Sequence, residues 1–253
     1  MPKAIELMTK REEEILKIIR YISEKTKEFA KPKLVMIGGY ALRAFIKFSR
    51  YTRDCDFIVK KRNGWHLDEL NEIIPRDWRV EELKKREQYG FMRWLKFIRY
   101  DKTRIKVSLD FMEGEIRGRK EEEVILIDDE MIEKSRQTFI TIAEEKIRVF
   151  VPDYSDYLIM KIISCRASDI RDIASLIHEN GIPKALSQRA KKILPNPDIL
   201  YSRIRRTVIP EIKSKTFIDS WKGIMATTEY TEEDKEKVAE ELEKIINSLN
   251  LVH

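Results

Sequence analysis

The apolar run Leu34-Val-Met-Ile37 breaks at Gly38-Gly39 and gives way to a stretch in which Leu42, Phe45 and Ile46 recur at helical spacing. This predicts a short buried strand, a glycine turn and a helix over 40–48, the first element of a packed core. Fifteen residues beyond the turn, in Arg50-Tyr-Thr-Arg-Asp-Cys-Asp-Phe-Ile-Val59, Asp54 and Asp56 stand two apart and Phe57-Ile-Val59 continues as a second strand. Residues two apart in an extended chain project to one face, so both carboxylates address the same space. Ile105-Lys-Val-Ser-Leu-Asp110 is the clearest alternating segment: Ile105, Val107 and Leu109 point one way, Lys106, Ser108 and Asp110 the other. Asp110 is thereby expected to join a site on the exposed side of a sheet.

Around this centre, Thr9 with Glu12 in capping-box spacing, then Ile15, Ile18, Ile19 and Ile22 on one face, predict a first helix ending before Pro32. Lys60-Lys-Arg-Asn-Gly64 reads as an exit loop, 66–74 as a helix stopped by Pro75, and 78–83 and 91–99 as strands. Val124-Ile-Leu-Ile127 and Ile147-Arg-Val-Phe-Val151 are expected to complete the sheet, and charged 113–123, with Gly114 and Gly118, to be a linker or lid. From Pro152 onward helices dominate, over 153–165, 169–178, 182–193 and a long segment from Glu232. In that last segment Val238, Leu242, Ile245 and Leu249 mark a packing face.

At 253 residues the chain suits one large domain or two modest ones. Charged residues make up 37%, above the ~25% of ordinary soluble domains, yet 42% hydrophobic content with ten Phe and nine Tyr excludes a disordered chain. A densely ionic surface follows, and its Lys and Glu excess fits the ion-pair networks of a protein working at high temperature. The net charge of +6 favours anionic partners, for which nucleotide phosphate suffices. Cys55 and Cys165 form no Cys-x-x-Cys pair, which argues against a secreted disulfide scaffold and for a cytoplasmic location. The start carries no signal-peptide stretch and no apolar run reaches ~18 residues, so a soluble chain without a membrane partner is expected.

Taken as a set, Asp54, Asp56 and Asp110 are short, rigid acidic arms suited to a hard divalent cation, Mg²⁺ or Mn²⁺, and they are the expected catalytic and metal-holding residues. A pair of such ions would orient a nucleoside triphosphate, draw charge from the α-phosphorus and help deprotonate an acceptor hydroxyl near Asp110, with pyrophosphate leaving. Gly38 and Gly39 lack β-carbons and let the backbone approach the β- and γ-phosphates, while the helix that follows turns its first amides toward negative charge. Arg50 and Thr52 either contact phosphate or brace the loop.

A lone Asp-x-Asp is commonplace in a chain with forty-four acids; the glycine turn before it and the third Asp ending an alternating strand carry the inference. An Asp-x-Asp glycosyltransferase is the competing enzyme class, and the early glycine turn fits it less well. His66, His178 and His253 show no zinc spacing, and neither a Ser-His-Asp order nor a complete Gly-x-x-x-x-Gly-Lys-Ser/Thr loop occurs, which sets aside hydrolase and P-loop chemistry.

Gly38-Gly39-Tyr-Ala-Leu42, Arg50-Tyr-Thr-Arg-Asp-Cys-Asp56 and Leu109-Asp110 together resemble the nucleotidyltransferase superfamily related to DNA polymerase beta, especially the small toxin-type enzymes of abortive-infection and toxin–antitoxin systems (AbiEii-like). Lys161-Ile-Ile-Ser-Cys-Arg-Ala-Ser-Asp169-Ile-Arg-Asp172 resembles the helical segment placed against the nucleotide in those proteins. The resemblance implies an α+β fold, a nucleotidyltransferase-type mixed β-sheet flanked by helices. A catalytic domain over 1–151, with its N-terminal helix, would precede a helical domain over 152–253. It further implies Mg²⁺-dependent transfer of a nucleoside monophosphate from an NTP, ATP or GTP among the candidates, to a protein or RNA acceptor, and a cognate toxin or antitoxin as partner. Many relatives carry Gly-Ser where this chain has Gly38-Gly39, and Lys where it has Ser168.

From the residues alone, Lys161 and Arg166 lie in a helical run in which Asp169 and Asp172 stand three apart and share a face. Two readings stay open. In one, Lys161 is a positive arm for triphosphate while Asp169 and Asp172 orient Arg166 or Arg171; in the other, the same residues form an interhelical ion network. With Gly38, Gly39, Arg50 and Thr52, Lys161 and Arg166 complete the candidate nucleotide-binding set, and Asp169 and Asp172 support it. Farther on, Arg189-Ala-Lys-Lys192 and Arg203-Ile-Arg-Arg206, with Tyr201 and Trp221 as stacking groups, outline either an RNA-end contact or a solvated helix face. The non-enzyme alternative is a catalytically silent protein of the same fold acting as a toxin, antitoxin or regulatory partner; the intact Asp54, Asp56 and Asp110 weigh against it.

Overall fold

The computed structural model describes residues 2–250, with side chains over 4–247; Met1, 251–253 with His253, and the side chain of Leu249 lie outside the described residues. The chain divides into two compact units, one of Met1–Ala44, Tyr51–Ile116 and Ile127–Asp153, the other of Phe45–Arg50, Arg117–Leu126 and Tyr154–His253.

Helix α1 spans Pro2–Lys25 and so begins ahead of the Thr9–Glu12 spacing. Proline suits a first helical position, where its missing N–H is not needed, and Thr9 sits inside the helix, donating to the Ile5 carbonyl at 3.1 Å. Ile15, Ile18, Ile19 and Ile22 form its buried face, as their periodicity predicts. The chain continues through Val35–Ile37 (β1), Gly38–Ala41 (α2), Asp54–Val59 (β2), His66–Ile73 (α3), Arg79–Arg86 (β3), Tyr89–Tyr100 (β4) and Thr103–Glu113 (β5). Then come Glu115–Arg117 (β6), Val124–Leu126 (β7), Asp129–Glu133 (α4), Arg136–Ile142 (β8) and Glu145–Val151 (β9).

Seven strands form one mixed sheet in the order β3-β4-β5-β2-β1-β9-β8, with β2–β5 and β1–β9 parallel and the other neighbours antiparallel. Ile147–Val151 joins this sheet as expected. Val124–Leu126 stays outside it; with Leu126 exposed, that strand has only Ile125 to bury. Phe57 and Phe111 are register partners across β2 and β5 and stack at 5.7 Å, and Phe29 stacks on Phe57 at 5.7 Å. Burying each ring contributes about 1.5–3 kcal/mol, which pins one face of both strands to the core. Strand alternation then sends Asp54, Asp56, Ser108 and Asp110 to the opposite face.

The helix expected over 40–48 is cut short: α2 is four residues long and a 3₁₀ turn carries the chain only to Ala44. Phe45–Arg50 belongs to the second unit, where Phe45 stacks on Tyr157 at 4.7 Å and the Lys47 amide donates to both Glu179 oxygens at 2.9 and 3.1 Å. Tertiary burial here overrides a local helical pattern.

The second unit is built from Tyr154–Ser164 (α5), Ala167–Asn180 (α6), Leu186–Ile193 (α7), Asp198–Arg203 (α8), Ile209–Ile212 (α9), Phe217–Met225 (α10) and Glu232–Asn250 (α11). Helix α5 is buried all round, with Tyr157, Leu158, Ile159 and Ile162 fully enclosed. Trp221 is buried too; it stacks on Tyr230 at 3.9 Å, and both donate to Ser175 Oγ, at 2.8 and 3.2 Å. Trp221 is therefore a core residue, and the expected base-stacking role is corrected. The basic clusters shrink likewise, because Arg189 is buried against Asp156 at 2.5 Å and Arg203 is paired with Glu123. Among the described residues no helix is long and apolar enough to cross a membrane.

Neither thiol is poised to react. Burial pushes Cys165 up to about 11, and Cys55, fully enclosed beside Asp56, Asp110 and Asp54, is pushed well above the ordinary thiol range. At pH 8 native Cys165 is expected to alkylate ~100-fold more slowly than a free thiol, and Cys55 only after unfolding; iodoacetamide labelling read by mass spectrometry checks both.

Candidate active site

Asp54 and Asp56 are the first and third residues of β2, and parallel β5 sets Ser108 beside Asp54 and Asp110 beside Asp56. Adjacent strands lie about 5 Å apart, so the carboxylates of Asp56 and Asp110 leave neighbouring backbones on the same face. On the other side of β2, β1 pairs Ile37 with Asp56, which delivers Gly38 directly onto the Asp56 side chain.

A β-carbon on Gly38 would lie 2.1 Å from Asp56 Oδ2, and one on Gly39 would lie 2.6 Å from Thr52 Oγ1. Gly38 also adopts φ +69°, the left-handed region. The two glycines thus serve first to admit the side chains of the segment that carries the acids. Gly38→Ala is expected to cost about 1–3 kcal/mol of stability from backbone strain and to turn the Asp56 carboxylate away; urea unfolding and a crystal structure of the variant check the two effects. Because α2 is a single turn, the expected helix-end field shrinks to the local amides.

Asp110 is buried, contrary to its expected place on an exposed side, and it is not alone. Arg93, its register partner on β4, grips both oxygens, Nε to Oδ1 at 2.8 Å and Nη2 to Oδ2 at 2.5 Å. Burial pushes the Asp110 carboxyl up and the Arg93 hydrogen bonds pull it back, leaving it raised. The bond to Asp110 in turn holds the Arg93 guanidinium above its usual range. Ser108 Oγ donates to Asp54 Oδ1. Arg11 of α1 donates to the Lys106 carbonyl at 3.1 Å; burial and Arg53 lower its guanidinium, and Asp54 acts the other way. Three acids are therefore flanked by Arg11, Arg53 and Arg93.

In register and donor chemistry the three carboxylates suit a hard divalent cation. As they stand, both Asp110 oxygens face Arg93, and among the described residues no three His, Cys, Asp or Glu side chains converge on a metal position. Reading the motifs alone misses Arg93 and Arg11. The available signal is a charged residue set between Met92 and Trp94 in a predicted strand.

The remaining candidates gather in the second unit. Lys161 is buried, with Nζ 2.8 Å from Asp172 Oδ2 and 3.2 Å from Asp169 Oδ1, and Arg50 clasps Asp172 at 2.9 and 3.0 Å. Burial by itself would lower the Lys161 ammonium; Asp172, Tyr157 and Asp169 outweigh it and hold it above the usual range. Burial opposes ionisation of Asp169 as well, and Lys161 and Ser164 reverse that to leave its carboxyl lowered. Arg166 is exposed at the break between α5 and α6, its amide donating to Asp169 at 3.2 Å. Arg171 turns instead to Ser220, at 2.7 and 3.0 Å, and to Glu211 at 2.8 Å.

Residues 13–183 match the family described as "Nucleotidyltransferase of unknown function (DUF6036)". The chain belongs to this family of nucleotidyltransferases. The matched span of this DUF6036 chain contains Asp54, Asp56 and Asp110 together with α5 and α6. No curated protein matches it. Two crystal structures from Helicobacter pylori are similar to it: a provisionally assigned nucleotidyltransferase, at 15% identity over 96% of each chain with a TM-score of 0.46, and JHP933, at 15% identity over 94% of each chain with a TM-score of 0.44.

Proposed function

We propose that this DUF6036 nucleotidyltransferase transfers a nucleoside monophosphate from an NTP to a protein or RNA acceptor in a metal-dependent reaction. The observation that carries this reading is the seating of Asp56 beside Asp110 on parallel strands, with Asp54 on the same face and the Gly38 backbone against Asp56. On this reading Asp54, Asp56 and Asp110 hold Mg²⁺ or Mn²⁺, which when bound would offset the charge of the triphosphate. Asp110 takes the proton of the acceptor hydroxyl as its oxygen bonds to the α-phosphorus. The bond from that phosphorus to the bridging oxygen of the β-phosphate breaks, and pyrophosphate leaves with the electron pair. Arg11, Arg53 and Arg93 offer guanidinium groups for the departing charge. A relation to polymerase-beta-type enzymes, and to their toxin-type abortive-infection branch, belongs to the same proposal.

A catalytically silent protein of this fold is the second reading, favoured by the grip of Arg93 on both Asp110 oxygens. Incubating the purified protein with each labelled NTP, Mg²⁺ or Mn²⁺, and cellular RNA or protein separates the two. Label transfer is the expected result; nucleotide binding with no transfer to either acceptor pool supports the silent reading, and no nucleotide binding defeats the proposal.

A further inference from the structure

We propose that Arg93 is a counter-ion lock on Asp110, one that yields the carboxylate to an entering divalent cation and moves to the triphosphate that arrives with it. The inference rests on the nucleotidyl-transfer reading above and adds to it a moving part. Both Asp110 oxygens are taken by a forked pair of charge-assisted hydrogen bonds, so a cation gains either oxygen only when a prong of the fork lets go. The two partners differ in freedom. The Arg93 side chain is 32% exposed and the Asp110 side chain 5%, so the guanidinium can leave into solvent and the carboxylate cannot follow it.

The neighbours leave Arg93 somewhere to go. The Phe91 ring, two residues back on β4, lies 5.4 Å from the guanidinium carbon and offers a resting place for a displaced cation. Glu81 is engaged by Lys106 at 3.3 Å, and Ser108 is spent on Asp54. Removing Arg93 from Asp110 leaves like charges on adjacent strands, a repulsion that a divalent cation relieves. A triphosphate brings further negative charge, and the freed guanidinium is a forked donor shaped for phosphate oxygens. Metal and triphosphate therefore reinforce one another through one side chain, and that coupling is reciprocal.

The test uses the full chain and two probes: Mn²⁺ alone, read as loss of the free-ion EPR signal, and radiolabelled inorganic triphosphate with Mn²⁺, read by equilibrium dialysis. Arg93→Gln is expected to bind Mn²⁺ about fivefold or more tightly than the wild type, the low end of ordinary coupling between sites. The same variant is expected to bind triphosphate roughly tenfold more weakly, the loss of a charge-assisted pair. Should Arg93→Gln not fold, Arg93→Lys, which keeps the charge and loses the fork, is expected to move both affinities the same way by smaller steps. Mn²⁺ binding that is unchanged or weaker in a folded variant overturns the lock and leaves Arg93 a brace. Triphosphate binding that stays at the wild-type level overturns the transfer to phosphate.

Asp56→Asn in the same titrations keeps the two claims apart. Loss of Mn²⁺ binding in Asp56→Asn with no gain in Arg93→Gln defeats the lock alone. Equal Mn²⁺ binding by wild type and Asp56→Asn defeats the carboxylate site and the lock with it.

Discussion

Asp56→Asn is expected to lower nucleotidyl transfer by about three decades or more, some 4 kcal/mol of transition-state stabilisation, while the protein stays folded. Asp56 is the central acid of the three: Asp110 is its partner on β5, Asp54 lies two residues back on the same strand, and a β-carbon at Gly38 would collide with its Oδ2. Asparagine keeps the shape that Gly38 and the strand register accommodate, removes the charge and turns one acceptor oxygen into an amide donor. Thermal stability should be unchanged or higher, because one of several crowded carboxylates has been neutralised. Asp68→Asn, at an exposed acid on α3, should leave transfer at the wild-type rate. Rates of label transfer and melting curves of the three proteins are the measurements; equal labelling by wild type and Asp56→Asn removes the catalytic assignment.

Asp172→Ala is expected to cost ~3–5 kcal/mol of stability, the usual penalty for breaking a buried ion pair from one side. Asp172 is fully enclosed and neutralises two cations, accepting from Arg50 at 2.9 and 3.0 Å and from Lys161 at 2.8 Å. Alanine would take both of these bonds from Arg50 and leave Lys161 with Asp169 as the remaining carboxylate of its ion pairs. The pH dependence of the wild type follows from the same network. The Asp169 carboxyl is lowered on folding, so its stabilisation is present above its unfolded value of 3.8 and is lost as pH falls through the lowered one. The Lys161 ammonium is raised above 10.5, so its share is present below that value and is lost only as pH rises through the raised one. Melting temperatures should therefore hold across the neutral range and fall on the acid side, and chemical denaturation of Asp172→Ala across that range measures the missing share.

Much of the first unit is legible in the chain because its signals are local. Alternation in Ile105 to Asp110 assigns Ile105, Val107 and Leu109 to the core, where they lie, while Ser108 and Asp110 on the other face are buried too. The spacing of Asp54 and Asp56 places both on one face without any knowledge of neighbours. Even the Arg93–Asp110 pairing is latent there: a tight turn between Tyr100 and Thr103 sets the hairpin register that places Arg93 opposite Asp110. Reading it requires knowing where the turn falls, and Asp101-Lys102 is a weak turn signal beside Asn-Gly or Asp-Gly.

The amino-acid order by itself determined the strand that carries two acids on one face and the helical character after Pro152, because strand alternation and helix periodicity are written within a few neighbouring residues; the α+β class came from the family resemblance of the motifs. Tertiary structure decided the rest. It ended α2 early by drawing Phe45 onto Tyr157, moved Trp221 from a presumed surface platform into the core, buried Asp110 and gave it Arg93 as its partner. Each of these is fixed by contacts beyond the reach of a local pattern: ring stacking holds Phe45 and Trp221 in the core, and at Asp110 burial raises the cost of an unpaired charge that Arg93 then meets.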